Sequence, residues 1–259
     1  MVLAGPAAQA SQSVRSVERA LDLLLALEQV DGPIGLSELA RLVGIPKPTA
    51  QRILAVLERR GFVQKERRCY LLGPGIVPLA GAFLAGNSLA KASLPVLEEI
   101  AALSGETSSL QVRNGFDRVV VQRVRSPHSI GYTLSIGQRL PLQLGASGKV
   151  LMAAMPEEEL HRFLEPFPLL RRAGGEVVTR ETLMAQIQEV KLRGFAISLG
   201  ERETGVISIA APVARPGGHV VAALAVTGPS TRMTPERVEQ LIPETRRAAQ
   251  EIGRLYSRM

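Results

Sequence analysis

The chain has no tryptophan, one cysteine and three histidines in 259 residues, and aromatic side chains make up only 3% of it. One cysteine, Cys69, permits no internal disulfide and no cysteine-based zinc cluster. Few rings and no tryptophan argue against a stacking platform for RNA or single-stranded DNA, which depends on exposed aromatic faces. His128, His161 and His219 are far apart and have no paired-ligand spacing, so each reads as a surface or turn residue rather than a metal ligand. No run of 18 apolar residues exists, so no membrane-spanning helix is expected. Residues 1–13 lack the basic start and continuous apolar stretch of a secretory signal and read as a disordered leader. A reducing, cytoplasmic setting fits these absences. No cofactor and no membrane partner is expected.

What is present is basic charge, and it is concentrated. The chain carries a net charge of +7. Between Arg41 and Tyr70 eight basic residues (Arg41, Lys47, Arg52, Arg59, Arg60, Lys65, Arg67 and Arg68) face two acids, Glu58 and Glu66. Most of the excess therefore sits in one short segment, the electrostatic footprint of phosphate binding. The apolar pattern there is helical. Leu36, Leu39, Ala40 and Val43 form one stripe, and Ala50, Ile53, Leu54 and Leu57 a second. Gly44 ends the first helix, and Pro48 suits the first turn of the next. Two short strands, Phe62–Gln64 and Cys69–Leu72, then flank a charged turn. The pattern is a winged helix-turn-helix, whose second helix presents its N-terminal residues to base edges in the major groove of double-stranded DNA. Gln51 and Arg52 are the candidate base readers, because Gln pairs with adenine and Arg with guanine. Lys47 and Thr49 sit at the helix start, where phosphate is favoured. Lys65, Arg67 and Arg68 at the wing tip are placed for backbone or minor groove. Cys69 reads as a small apolar strand residue.

The remainder is punctuated differently. Val17, Ala20, Leu21 and Leu24 mark a first helix that stops before Asp31-Gly32-Pro33. From Leu79 to Leu103 the pattern is helical, with a break near Gly86-Asn87. Thr107–Val112 and Val119–Val124 read as strands around the hairpin signal Asn114-Gly115. Further strands are expected at Ile130–Ile136, Phe195–Leu199, Val206–Val213 and His219–Val226, and helices at Lys149–Ala154, Pro156–Leu164 and Glu181–Leu192. A final helix opens at Thr234-Pro235. Strands in both halves with helices between them make an α+β domain.

Gly145-Ala146-Ser147-Gly148-Lys149 invites a nucleotide reading but fails as a P-loop. Its spacing is wrong, and Val150 replaces the Ser or Thr that would hold magnesium. Ser147 and Lys149 also permit a Ser/Lys hydrolytic pair, for which no oxyanion motif is present. The rival reading is a small-molecule-processing enzyme with a basic accessory head, for which the second half shows no convincing acid, base and nucleophile set.

SVERALDLLLAL, LSELARLVGIPKPTAQRIL, RRGFVQ and YLLG in the first half, with GQRLPLQLGASGKVLMA, RGFAISLGERETGVISIAAPV and AALAVTGP in the second, resemble the IclR family of bacterial transcriptional regulators. The resemblance extends from Val14 onward. It implies a winged helix-turn-helix at 14–75, a linker helix at 76–92 and a GAF-like effector-binding domain at 93–259. It implies a non-enzymatic regulator, a repressor of a catabolic operon that responds to a small organic-acid or aromatic effector. It also implies a homodimer or dimer of dimers on a pseudo-palindromic operator. On this resemblance Leu140, Ala146 and Ser147 line the effector pocket with Ser198, Ser208, Ala225 and Thr227. The chain departs from the family at Gln143, where His is common, at Ser198, where an acid is frequent, and at Ser208, where Cys is frequent. The pocket is accordingly expected to be lined by neutral hydroxyl groups.

Overall fold

The computed structural model describes residues 14–129, 131–165, 167 and 170–259, so the expected leader lies outside the described residues. The chain forms two compact units that part between Gly86 and Asn87.

The first unit opens with α1 (Arg15–Glu28) and β1 (Ile34–Gly35), followed by α2 (Leu36–Val43) and α3 (Lys47–Arg59). A ribbon of β2 (Val63–Glu66) and β3 (Cys69–Leu72) follows, then α4 (Ile76–Gly86). The stripes of α2 and α3 meet as their period requires, with Leu39, Ala40, Ala50, Leu54 and Leu57 buried together with Leu23 and Leu27 of α1. Gly44 closes α2 in the left-handed region at φ 70°, and Pro46 stands at the N-cap of α3. The sheet has one more strand than the sequence suggests: Ile34 pairs with Tyr70, giving the order β1-β3-β2. Gly75 ties the ribbon back to the end of α3 through its N–H to the Gly61 carbonyl (2.8 Å), an approach with no room for a Cβ.

The helix expected from Val17, Ala20, Leu21 and Leu24 forms, with Leu24 packed against the core and only part of the stripe covered. Val17 and Leu21 are each 54% exposed, whereas Leu23 and Leu27 are covered. The run Leu-Asp-Leu-Leu-Leu-Ala-Leu is apolar on more than one face, and packing against α2 and α3 selects which face turns inward.

The second unit begins at Asn87, whose side chain caps α5 (Ser88–Ser104) by accepting from the Ala90 amide (3.1 Å). Then come β4 (Thr107–Asn114), β5 (Asp117–Val124), β6 (Arg139–Pro141), α6 (Ala146–Ala153) and α7 (Glu157–Phe163). A small hairpin, β7 (Leu170–Arg171) and β8 (Val177–Val178), precedes α8 (Arg180–Arg193). The chain ends with β9 (Ala196–Leu199), β10 (Val206–Ala214), β11 (Val220–Pro229) and α9 (Pro235–Tyr256). The fold class is α+β, with a six-stranded antiparallel sheet in the order β6-β5-β4-β11-β10-β9. The division anticipated at 92/93 falls inside α5.

Strand period 2 sends alternate residues to opposite faces. On β11, Ala222, Leu224 and Val226 join a core with α5 and α9, while Ala223 and Ala225 join one with α6 and α8. The α6 face is lined by small residues. Ala196, Ala210 and Ala225 lie side by side across three strands, and this lets α6 settle close to the sheet.

The strand expected at 130–136 does not form. Ile130 lies outside the described residues, and Gly131–Ile136 is irregular. Pairing with β5 starts only where Gly137 and Gln138 bond Val120, and the strand observed is β6. Upstream, Tyr132 gives its carbonyl to the Thr107 hydroxyl (2.9 Å), and the Ser135 amide is taken by the Gln138 side chain (3.0 Å).

Candidate functional site

On α3, burying Ala50, Leu54 and Leu57 turns Lys47, Gln51 and Arg52 to solvent. Thr49 is half-buried in the first turn, and its N–H is already given to the Pro46 carbonyl (2.9 Å), so it offers a hydroxyl rather than a free amide. In the wing, Glu66 pairs with Cys69, which leaves Arg67 and Arg68 as a two-residue connection. Arg67 is the one non-glycine with positive φ (55°) among the described residues. A two-residue hairpin loop demands such a conformation and usually takes it from Gly or Asn. Lys65, Arg67 and Arg68 are all exposed, with the Lys65 ammonium 5.7 Å from the centre of the Tyr70 ring. Cys69 is half-buried in β3. The seven expected DNA-facing residues thus lie on two adjoining elements of one small unit.

The second unit holds a cavity of about 40 Å³ on the α6 side of the sheet. Its floor is a row of hydroxyls. Ser208 on β10 pairs with Ser198 on β9 and with Thr227 on β11, and the Ser208 and Thr227 hydroxyls are bonded at 2.8 Å. Ala146 and Ser147 at the start of α6 and Leu140 on β6 contribute the walls. Six of the seven residues expected there are brought together. Ala225 is not: it lies one row along β11, opposite Ala210, fully buried beneath α6.

The expectation of a neutral lining is overturned. Arg118 projects inward from β5 with 3% exposure, and Gln111, Tyr132, Glu201, Arg202 and Glu203 line the space with it, beside the apolar Leu134 and Val206. Arg118 donates from Nε to the Gln111 side-chain carbonyl (2.8 Å), and from Nη1 to the carbonyls of Leu144 (2.7 Å) and Pro141. Burial, with a second contribution from the charge of Arg202, lowers its pKa to about 9, so it is still a cation at neutral pH. Arg202 Nη1 donates to the Tyr132 hydroxyl (2.8 Å), and burial pushes that phenol's pKa up.

The Gly-Ala-Ser-Gly-Lys segment acquires a different meaning from a phosphate loop. Gly145 adopts φ 91° at the N-cap of α6, and a Cβ there would sit 2.9 Å from Arg118 Nη2. The glycine therefore lets a helix start close over a guanidinium. Lys149 points away from the cavity mouth and is buried against the Glu201 carboxylate and the Ile197 carbonyl (3.3 Å). Glu201 also accepts from the Gly145 amide (2.8 Å). Its charge is thereby occupied, and Arg118 and Arg202 are the cations facing the space, with the Glu203 carboxylate also on its lining. Ser147 and Lys149 form no hydrogen bond to each other among the described residues, which leaves the hydrolytic pair unsupported.

Sequence reasoning missed the polar lining residues Gln111, Arg118, Tyr132, Glu201, Arg202 and Glu203, and the apolar Leu134 and Val206. Arg118 left a usable signal, being a charged residue one period-2 step from Val120 in a strand that is otherwise Val-rich. Glu201 and Arg202 sit in a loop and left none. Among the described residues no group of three or more His, Cys, Asp or Glu is placed to hold a metal ion, and no helix is long and apolar enough to cross a membrane. His161 instead lies beside Arg180 (3.2 Å) and Glu157 (3.8 Å) on an exposed face.

Comparison with known proteins matches both units. The model for the bacterial transcriptional regulator IclR C-terminal domain covers residues 81–254, and the IclR helix-turn-helix domain model covers residues 16–67. The chain is 31% identical to the probable transcriptional regulator SauR of Cupriavidus necator, over 92% of this chain and 95% of that protein. It is 29% identical to the HTH-type transcriptional repressor AllR of Klebsiella pneumoniae, over 92% and 89% respectively. The crystal structure of an IclR homologue from Microbacterium hydrocarbonoxydans complexed with 4-hydroxybenzoate shares the fold, with a TM-score of 0.74, 23% identity, and 94% and 100% coverage.

Proposed function

This chain belongs to the IclR family of bacterial transcriptional regulators, and on that premise we propose that it is a cytoplasmic, non-enzymatic repressor of a catabolic operon, released by a small carboxylate. The unit around α3 binds double-stranded DNA. Gln51 and Arg52 read bases there, while Lys47, Thr49, Lys65, Arg67 and Arg68 hold phosphates.

The observation that carries the effector reading is the meeting of Arg118 and Arg202 with the Ser198, Ser208 and Thr227 hydroxyls in one cavity. Buried guanidinium groups favour a carboxylate, and hydroxyls both donate and accept toward a polar body. Ser147 and the start of α6 add helix-terminal polarity to the same end. At about 40 Å³ the space is far below the roughly 300 Å³ at which ligand pockets begin. An aromatic acid therefore enters as the half-buried Arg202 and Tyr132 swing outward, and this coupled movement is the means by which binding is sensed. The Microbacterium relative, bound to 4-hydroxybenzoate, supports the choice of probe.

The same reading includes a homodimer on a two-fold operator. No residue of α4 is buried, and Val77, Leu79 and Phe83 are 69%, 60% and 54% exposed, alongside Val17 and Leu21 of α1. An uncharged helix this apolar is suited to bury its face against a second copy.

The test is thermal-shift titration of the full chain with 4-hydroxybenzoate and with 4-hydroxybenzamide, which lacks the charge. Stabilisation by the acid alone, weakened in Arg202→Gln, is expected. Equal stabilisation by the amide would remove the carboxylate reading.

A further inference from the structure

A second recess lies on the other side of the Tyr132 segment. It has a volume of about 300 Å³, between the ends of β4 and β5 and the chain that follows β5. Arg123 and Arg125 both line it. Neither has an acidic partner among the described residues. Arg123 Nη1 is buried and makes no hydrogen bond. Burial lowers the pKa of Arg123, and the charge of Arg125 lowers it further. A half-buried guanidinium with one orphaned buried donor thus stands beside an exposed one at the same recess, and the orphaned donor is the feature that folding alone disfavours.

The surrounding chain is held in place without using those cations. The Thr107 hydroxyl donates to the Tyr132 carbonyl (2.9 Å) and accepts from the Ser126 amide (3.2 Å). The Ser126 hydroxyl donates to the Gly105 carbonyl (2.6 Å). Those bonds fix the rim, while the hydroxyls of Ser129 and Thr133 make no hydrogen bond there among the described residues.

We propose that this outer recess is a binding site for a small doubly charged oxyanion, inorganic phosphate or a phosphate monoester, held by Arg123 and Arg125 with the Ser129 and Thr133 hydroxyls. Two guanidinium groups balance a phosphate dianion, and their planar N–H edges match its oxygens. A single carboxylate would leave one cation uncompensated. The site is separate from the inner cavity, sharing with it only Tyr132. It stands whether or not that cavity takes a carboxylate.

The experiment is calorimetric titration of the full chain, in chloride buffer, with inorganic phosphate and with glycerol 3-phosphate. Four proteins are compared: the parent, Arg123→Gln, Arg202→Gln for the inner cavity, and Arg162→Gln as a loss of equal charge on exposed α7. Saturable binding by the parent, weakened roughly tenfold or more in Arg123→Gln and unchanged in the other two, is expected. Tighter binding of the monoester would identify an organic phosphate as the ligand, and equal binding the inorganic ion. Absence of saturable binding, equal weakening in Arg162→Gln, or loss in Arg202→Gln alone would overturn the proposal. So would an Arg123→Gln protein that binds phosphate normally but has lost affinity for non-specific duplex. A thermal melt of each variant establishes that it is folded before titration.

Discussion

Replacing Arg118 by methionine tests the architecture of the inner cavity most directly. Methionine keeps much of the length and bulk of the side chain but none of its donors. In the parent, Arg118 satisfies the Gln111 side-chain carbonyl and the backbone carbonyls of Pro141 and Leu144. Gln111 can turn to a new partner, since its amide already reaches Ser109 (3.1 Å). The two backbone carbonyls cannot move far. A buried acceptor left unpaired costs about 1–3 kcal/mol; Pro141 is exposed and can turn to water, so the half-buried Leu144 carbonyl bears most of that cost. Against this stands relief from a buried cation that faces Arg202, whose presence the lowered pKa of Arg118 records. The net loss should lie near the lower end of that range, about 1–2 kcal/mol. For a unit of this size about 1 kcal/mol corresponds to roughly 2–4 °C, so the melt should fall by about 2–8 °C. Hydrogen exchange read by mass spectrometry locates the effect. Faster exchange should appear in β5, β6 and the start of α6, with α2 and α3 unchanged. A melt within a degree of the parent, or acceleration confined to the first unit, would refute the claim that this guanidinium holds the cavity together.

The remaining outcomes follow from the same geometry. Arg52→Ala should weaken binding to the operator roughly tenfold or more relative to scrambled DNA, whereas Arg67→Gly should weaken both alike and lower the salt slope by about one, measured by fluorescence anisotropy across salt. The glycine also removes the strain of a positive φ at Arg67, so its melt should not fall. Phe83→Asp should shift the chain toward monomer in sedimentation velocity, because it places a charge on the apolar face of α4. Ser147→Leu should abolish stabilisation by 4-hydroxybenzoate yet leave duplex binding intact, since Ser147 is 3% exposed in a cavity without room for the larger side chain. Carboxylate affinity should be level from pH 6 to 8 and fall as pH rises through about 9, where Arg118 loses its proton; bound anion favours the charged form, so affinity must fall as that form is lost. Arg118→Met should show no such alkaline decline.

The DNA-binding unit was legible because its determinants are local. The α2 stripe, Gly44, Pro48 and the charge of the wing are each a statement about neighbours within a turn or a hairpin, and the packed unit agrees with all of them. Along α1 the helix formed where it was read, but its apolar residues cover more than one face, and tertiary contacts decided which of them are covered. The irregular Gly131–Ile136 segment shows the complementary failure. Its residues favour a strand, but its polar groups are taken by other partners: the Tyr132 carbonyl by the Thr107 hydroxyl and the Ser135 amide by the Gln138 side chain, so pairing with β5 begins only at Gly137. Strand propensity yields where local context offers such alternatives.

The inner cavity divides along the same line. Its hydroxyl row follows from period 2 on three strands once their register is known, and Ala225 was misassigned because a residue two places along a strand shares the face but not the row. Its charges depend on long-range meetings. Arg118 reaches the Leu144 carbonyl 26 residues away, and Glu201 reaches the Gly145 amide across 56. Neither contact has a local pattern to announce it. The sequence did contain one constraint that bears on both. A cation at an inward strand position must be paired, hydrogen-bonded or used. Arg118 and Arg123 are both charged side chains on the same Val-rich strand. The first has its acceptors in Gln111, Pro141 and Leu144, and it still faces a cavity. The second has a buried N–H with none. Applied to each inward charge in turn, that rule separates a cation that the fold satisfies from one that awaits an anion, and it directs experiment to Arg123.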